Sequence, residues 1–153
     1  MVVNMKIKDI MTKDIVSSDI DSSIKDAALL MLNYDIGFLP IKKGNKIVGC
    51  LTDRDLVIYG IANDNKELSN SMKNTLITID ENENVLKAIE IMKNFKIRRL
   101  LVKNGKKLTG IISLSDIISK YDKNKDIIEM LKCIFSIDKN ANTSDLKVND
   151  FEL

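Results

Sequence analysis

Two short segments of the sequence pair a hydroxyl side chain with a carboxylate three residues later. Thr52 and Asp55 lie in VGCLTDRD at 48–55, and Ser113 and Asp116 lie in TGIISLSD at 109–116. An ionised carboxylate only accepts hydrogen bonds and therefore suits two adjacent donors, such as the 2′- and 3′-hydroxyls of a ribose. We also expect a helix to begin at each segment, where unpaired N–H groups and the hydroxyl favour a phosphate. The two segments together predict a nucleotide site.

A second interpretation of both segments is a helix capping box, in which the hydroxyl and the acid bond to each other's backbone N–H groups. Asp is shorter than the Glu or Gln that this box favours. A glycine also stands three residues before each hydroxyl, at Gly49 and Gly110. A buried strand gains nothing from lacking a side chain, so we interpret each glycine as a point of close approach to the backbone. Both interpretations stay open.

The two segments belong to a longer internal repeat. At an offset of 61 residues (110 minus 49), Lys6–Tyr59 aligns without a gap with Glu67–Lys120, and many aligned positions are identical or aliphatic in both copies. Two copies are too few for a solenoid, so we expect them to close on each other about a pseudo-two-fold axis as one intertwined pair. The predicted divisions are repeat 1 at 1–62, repeat 2 at 63–122 and a C-terminal helix and tail at 123–153.

The hydrophobic period changes in the same order within each repeat. Apolar residues recur at helical spacing over 24–31 and 85–92, after the polar clusters DIDSS and DENEN, which suit helix capping. GFLPI and KIVGCL in repeat 1, and RRLLV and KLTGII in repeat 2, read as strands joined by polar turns. Helices are predicted at 53–62 and 114–121, and the segments IVSS and LITI each add a third strand. The predicted fold class is α/β (α+β), with a small three-stranded sheet packed with helices in each repeat.

Composition narrows the classes of partner. The chain has 153 residues, of which 44% are hydrophobic, and its 24 basic and 22 acidic residues leave a net charge of only +2. Because no strong field of one sign is present, we expect neither a nucleic acid nor a membrane as partner. No apolar run reaches the roughly 18 residues of a spanning helix, and the first residues do not form a secretory signal. The expected location is the cytoplasm.

The residue types also argue against catalysis and metal binding. Histidine is absent, which removes the commonest general base and metal ligand. Cys50 and Cys133 lie far apart, without disulfide or zinc spacing, and Cys50 in the apolar run IVGCL is predicted to be a buried small hydrophobe. DENEN and DKNKD lack the Gly and Glu of a calcium loop. We therefore predict no enzyme activity and no metal.

The span from about Lys6 to Tyr121, roughly three quarters of the chain, resembles a tandem pair of cystathionine-β-synthase (CBS) domains, also called a Bateman module. The resemblance is carried by DIMTKDIVSSDIDSSIKDAALLMLNYDIGFLPI and VGCLTDRDL in repeat 1, and by NFKIRRLLV and TGIISLSDI in repeat 2. It implies two units packed sheet to sheet, two clefts between them, and disc-like homodimers. In this family the clefts bind AMP, ADP or ATP, and in some members S-adenosylmethionine or a dinucleotide.

The resemblance also implies roles for individual residues. In one cleft Asp55 would hold the ribose, with Thr52, Arg54 and Arg99 near phosphate and Leu76 and Ile77 against adenine. In the other, Asp116 would hold the ribose, with the remaining roles taken by Ser113 and Ser115 at the phosphate and by Thr12, Ile15 and Val16 around the base.

The two implied clefts differ in charge. Repeat 2 has Arg98 and Arg99 where repeat 1 has Gly37 and Phe38. A polyphosphate is therefore expected to suit the Asp55 cleft, and a less negative ligand the Asp116 cleft. An alternative interpretation of the two arginines is a pair of exposed charges on a strand edge.

The predicted function is that of a regulatory module that senses an adenosine nucleotide and signals to a separate, unidentified protein by a change of shape. The alternatives are a ligand-free module that serves dimerisation only, and a sensor of S-adenosylmethionine or a dinucleotide. In the C-terminal part, IIEMLKCIF has helical apolar spacing and is expected to pack on the module or to dock a partner.

Overall fold

The computed structural model describes residues 5–120, which fold into two similar units of helix and sheet. The predicted C-terminal helix and tail at 123–153 lie outside the described residues, as do residues 1–4. Within the described part of the chain, no helix is both long enough and apolar enough to span a bilayer.

Both units contain the same elements in the same order. The elements of the first are β1 (Ser18–Asp19), α1 (Ile24–Tyr34), β2 (Phe38–Lys43), β3 (Lys46–Thr52) and α2 (Asp53–Asp55), which continues as a π-helical segment, Leu56–Ile61. Those of the second are β4 (Thr78–Asp80), α3 (Val85–Phe95), β5 (Arg99–Asn104), β6 (Lys107–Ser113) and α4 (Leu114–Lys120). Short 3₁₀ turns at Ile7–Asp9 and Leu68–Asn70 precede the units.

Each unit has one three-stranded sheet. The strand orders are β1-β2-β3 and β4-β5-β6, with the first pair of strands parallel and the second antiparallel in both sheets. The predicted α/β (α+β) class and the predicted helices and strands are confirmed, although the third strands are short and begin later than predicted, at Ser18 and Thr78.

The long helices begin where the polar clusters predict them to begin. Ser23 caps α1 in a capping box, with Asp26 N–H donating to the Ser23 hydroxyl and Asp26 Oδ2 accepting from Ser23 N–H. Asn84 caps α3 by accepting from Leu86 N–H. Such caps satisfy donors that a helix start leaves unpaired, so the polar clusters fix the helices that flank each sheet.

The two units exchange their leading segments. Thr12 pairs with Ile111 of β6 through two backbone hydrogen bonds of 2.9 Å, and Lys73 pairs with Cys50 of β3 through bonds of 2.8 and 2.9 Å. The first core cluster, around α1, β2 and β3, includes Leu68 from the segment before repeat 2. The core around α3, β5 and β6 includes residues 7 and 10 from the start of the chain. Each core therefore contains a piece of the other repeat, which makes the pair intertwined.

This exchange confirms a close approach to the backbone at the two glycines and identifies the approaching atoms. A Cβ on Gly49 would lie 2.9 Å from the Lys73 carbonyl oxygen, and a Cβ on Gly110 would lie 2.8 Å from that of Thr12. The atoms that approach the strands belong to the protein's own linker and N-terminal segments. The absence of a side chain at these positions serves the pairing of the two repeats and is not evidence for a ligand.

Candidate functional site

A cleft of about 370 Å³ opens beside Asp55, and residues from both repeats form its walls. Repeat 1 contributes the start of β2, the end of β3, α2 and the π-helical segment, whereas repeat 2 contributes its leading segment, the end of α3 and the start of β5. The residues that line the cleft are Phe38, Cys50, Thr52, Asp53, Arg54, Asp55, Tyr59, Lys73, Thr75, Ile77, Lys96, Ile97, Arg98, Arg99 and Leu101.

Asp55 is a buried acid whose two carboxylate oxygens have different contacts. Oδ2 accepts hydrogen bonds from Thr52 N–H at 3.0 Å and from the Thr52 hydroxyl at 2.6 Å. Oδ1 lies 3.4 Å from the Lys73 ammonium, and only 4% of the acid's side chain is exposed. Oδ2 therefore stabilises the local backbone, whereas Oδ1 contacts the ammonium of an exposed lysine, which another partner can replace.

The capping-box interpretation is confirmed at both hydroxyl segments. Asp55 N–H donates to the Thr52 hydroxyl oxygen at 3.1 Å, which completes the reciprocal pair at α2. At α4, Ser113 N–H and the Ser113 hydroxyl both donate to Asp116 Oδ2, at 2.8 and 2.6 Å, and Asp116 N–H donates back to the Ser113 oxygen. The cap uses a single carboxylate oxygen in each case, so it is compatible with a second role for each acid.

The expectation of unpaired N–H groups at the start of α2 is wrong, whereas a phosphate near this helix start stays a prediction. Asp53 N–H donates to the Gly37 carbonyl at 3.3 Å, Arg54 N–H to Asp53 Oδ1 at 2.8 Å, and Asp55 N–H to Thr52. The Thr52 hydroxyl hydrogen is likewise donated to Asp55. The first three N–H groups of α2 therefore have partners within the protein, so we expect an anion in this cleft to depend mainly on side-chain charge.

The cleft carries that charge. Five cationic side chains and two carboxylates are among its lining residues, which gives an excess of positive charge. Within residues 5–120, only Lys73 of the five forms an ion pair. Arg98 is exposed and Arg99 half-buried, and both line the cleft, so they are more than isolated charges on a strand edge. The unpaired cations can accept an anionic ligand.

Cys50 differs from its prediction as a buried core residue. Its side chain is half-buried and lines the cleft, while its backbone pairs with Lys73. Burial, followed by the negative charge of Asp55, raises the pKa of the Cys50 thiol, and the nearby Lys73 only partly opposes this effect. A raised pKa keeps the thiol protonated and therefore a poor nucleophile.

The predicted site residues lie in part around Asp55 and in part around Asp116. Seven of them line the Asp55 cleft: Phe38, Thr52, Arg54, Asp55, Ile77, Arg98 and Arg99. Gly37 and Leu76 lie next to lining residues without lining the cleft themselves, although the Gly37 carbonyl accepts from Asp53 N–H.

The residues predicted around Asp116 are connected in part. Ser113, Ser115 and Asp116 form one hydrogen-bonded group, in which the Ser113 and Ser115 oxygens lie 2.8 Å apart. Thr12 pairs with Ile111, two residues before Ser113. Ile15 and Val16 are half-buried on the segment after Thr12, and Val16 packs against the first core cluster. Their role as walls of a second cleft stays a prediction.

Sequence reasoning missed eight lining residues, which are Cys50, Asp53, Tyr59, Lys73, Thr75, Lys96, Ile97 and Leu101. Tyr59 could have been found, because it follows Asp55 by four residues and helical residues at that spacing share a face. Lys73 and Lys96 come from repeat 2, and their approach to Asp55 depends on how the two repeats pack.

Comparison with known proteins points to one family. The model of the CBS domain matches residues 7–61 and again residues 66–123. The uncharacterized protein YlbB of Bacillus subtilis is 33% identical over 117 residues, which cover 73% of this chain and 79% of YlbB.

Two further matches bear on ligands and catalysis. The crystal structure of the CBS domain pair of protein MJ0100, in complex with 5′-methylthioadenosine and S-adenosyl-L-methionine, matches with a TM-score of 0.72 and 27% identity, over 77% of this chain and 96% of that one. The inosine-5′-monophosphate dehydrogenase of Thermoplasma acidophilum is 36% identical over 98 residues, which are 63% of this chain but only 20% of the enzyme.

Proposed function

The chain belongs to the CBS domain family as a tandem pair, and on that premise we propose that it is a regulatory module whose Asp55 cleft binds an adenosine nucleotide. The observation that carries the proposal is the arrangement in one cleft of a buried carboxylate and an excess of cations. The carboxylate suits neutral hydroxyl donors, and the cations suit phosphate. A nucleotide contains both groups at a fixed separation.

Each part of the nucleotide has residues that suit it. The ribose hydroxyls would donate to Asp55 Oδ1, the oxygen that the cap does not use. The phosphate would lie among Arg54, Arg98 and Arg99, and the adenine against the apolar lining residue Ile77. AMP, ADP and ATP differ only in the length of the phosphate chain, and the excess of cations favours ligands of this type over uncharged nucleosides.

The proposal includes a mode of action without catalysis. The cleft thiol has a raised pKa, and the enzyme that resembles this chain does so over a small fraction of its length. A ligand can shift a conformational equilibrium only by its differential affinity for the two states. Since both repeats contribute to the walls, a bound nucleotide would connect them, and the resulting shape would be the signal to a partner protein. The regulated partner and the cytoplasmic location stay predictions from the sequence.

A ligand-free dimerisation module is the second candidate, and exposed apolar side chains favour it. Leu32 on α1 is 74% exposed and Ile61 on the adjoining π-helical segment is 68% exposed. Exposed apolar side chains mark a protein interface where they form a contiguous patch. A homodimer is compatible with either candidate, so only ligand binding separates them.

Thermal unfolding of the purified protein tests the proposal. We expect AMP, ADP or ATP at about 100 times its dissociation constant to stabilise the protein by roughly 2.7 kcal/mol. Two analogues of AMP serve as controls. 2′-deoxy-AMP lacks one of the hydroxyls that would donate a hydrogen bond to Asp55, and GMP carries the same sugar and phosphate on another base. Both should stabilise less than AMP. Absence of a shift with AMP, ADP, ATP and S-adenosylmethionine would leave the dimerisation module as the function.

A further inference from the structure

We propose that Lys73 determines which charge the Asp55 cleft accepts at the 5′ position of an adenosine ligand, favouring phosphate over a cationic sulfonium. This inference rests on the proposed function, because it concerns the choice among adenosine ligands. No local pattern in the sequence indicates a role for Lys73, and its importance follows from one ion pair.

The Lys73 ammonium lies 3.4 Å from Asp55 Oδ1, the carboxylate oxygen that the cap leaves open. The side chain of Lys73 is 59% exposed, whereas that of Asp55 is 4% exposed. The Lys73 backbone is held by two hydrogen bonds to Cys50. The stem is thus anchored beside the acid while the ammonium can move, so a ribose hydroxyl can take its place at Oδ1 without expelling it from the cleft.

The charge of Lys73 matters because of where the ligand's variable group would lie. The 5′ substituent of an adenosine ligand is attached directly to the ribose, so a ribose held by Asp55 brings that substituent close to the carboxylate. An uncompensated buried carboxylate attracts a cation and repels a phosphate. With Lys73 beside it the carboxylate is neutralised, and the ammonium becomes available to a phosphate once ribose occupies Oδ1.

The other repeat offers an internal comparison. Thr12 stands at the position equivalent to Lys73, and its backbone makes the same pair of bonds, to Ile111. Asp116 forms no ion pair within residues 5–120. The local backbone and cap are therefore alike in the two repeats. Asp55 is buried and has a neighbouring cation, whereas Asp116 is half-buried and has no ion-pair partner within residues 5–120.

The test is a titration with AMP and, separately, with S-adenosylmethionine, of the wild-type protein and of Lys73→Thr, which installs the residue of repeat 1. Backbone NMR signals of Arg54 and Ser115, at equivalent positions beside the two acids, report the two clefts separately. An exposed charge contributes about threefold in affinity, so in Lys73→Thr we expect AMP to bind the Asp55 cleft about threefold more weakly and S-adenosylmethionine about threefold more tightly. The ratio of the two dissociation constants then changes by roughly tenfold.

Two further variants control this measurement. Lys73→Arg keeps the charge and should keep the wild-type ratio, while Lys66→Thr removes an exposed lysine that does not line the cleft and should also leave it unchanged. The effect should shrink in about 0.5 M salt, because surface charges are screened there.

The outcomes separate the two proposals. If the wild-type protein binds neither ligand at the Arg54 signal, the proposed function fails and the role of Lys73 with it. If the wild-type protein binds but Lys73→Thr leaves the ratio unchanged, the inference about Lys73 fails alone. Tighter binding of both ligands by the same factor would make Lys73 a plain competitor for Oδ1, which also overturns charge selection.

Discussion

Replacing Asp55 with asparagine should separate ligand binding from helix capping, because the two carboxylate oxygens have different contacts. Oδ2 accepts from the Thr52 backbone and hydroxyl, whereas Oδ1 faces the Lys73 ammonium. Asparagine has the same size, and its carbonyl oxygen can occupy the place of Oδ2 and preserve the cap. Its NH₂ group then replaces Oδ1, which puts a donor where the ribose hydroxyls need an acceptor.

The expected loss of affinity is large compared with the loss of stability. A hydrogen bond to a charged group contributes about 1.5–3 kcal/mol. Loss of Oδ1 as the acceptor for the ribose hydroxyls should cost about 2–3 kcal/mol, or roughly 30- to 150-fold in the dissociation constant. The variant keeps the cap and loses a pair with an exposed lysine, which contributes at most about 1 kcal/mol. The free energy of unfolding should fall by no more than that.

Isothermal titration with AMP and urea unfolding measure the two quantities. Asp26→Asn is the matched control, because Asp26 Oδ2 accepts from Ser23 N–H at 3.1 Å and from the Ser23 hydroxyl at 2.7 Å in an equal capping box. Asp26 does not line the cleft, so its replacement should leave AMP affinity unchanged. If Asp55→Asn binds AMP within about twofold of the wild type and loses no more stability than Asp26→Asn, Asp55 is a cap only. Asp116→Asn should affect the predicted second cleft in the same way.

Three further predictions concern packing, the cleft thiol and assembly. Gly110→Ala should lower the free energy of unfolding, measured in urea, by about 1–3 kcal/mol. The reason is that its Cβ would lie 2.6 Å from Met11 Sδ and 2.8 Å from the Thr12 carbonyl oxygen. An unchanged free energy of unfolding would mean that the exchanged segment shifts freely. Cys50 should react with iodoacetamide more slowly than a free thiol at about pH 8, and its reaction should become faster as the pH rises through its raised pKa. AMP should slow this reaction further. Peptide mass spectrometry measures the extent of the reaction. Light scattering should give twice the 17.3 kDa chain mass, whereas a monomer mass would contradict the predicted homodimer.

The sequence predicted the elements of the fold well because their signals are local. Helical spacing and polar caps identified α1 and α3, and short apolar runs between polar turns identified the four main strands. It did not predict which atoms approach Gly49 and Gly110, because the approaching segments lie more than twenty residues away in the chain. A missing side chain indicates that space is needed, but the identity of the group that fills the space depends on tertiary packing.

The residues of the candidate site could also be predicted only where their signals are local. The residues around Asp55 that belong to one continuous segment, such as Thr52 and Arg54, line the cleft as expected. Lys73 was missed because nothing in its own neighbourhood indicates a role, and only the backbone pairing with Cys50 brings it to the acid. The expectation of unpaired N–H groups at the helix start was wrong for the opposite reason, since the neighbouring side chains of Asp53 and Thr52 accept from them.

The charge around the two acids differs without any change in the shared fold. Lys73 and Lys96 in the Asp55 cleft correspond to Thr12 and Asp35 in repeat 1, and Arg54 corresponds to Ser115 in repeat 2. All six are exposed, and all lie outside the two core clusters. Substitutions at exposed positions cost little stability, so charge around each acid can change while the caps and the exchanged segments stay in place. The repeat thus supplies the same capped acid twice, and under the proposed function the exposed residues around each acid would determine which charged group is accepted beside it.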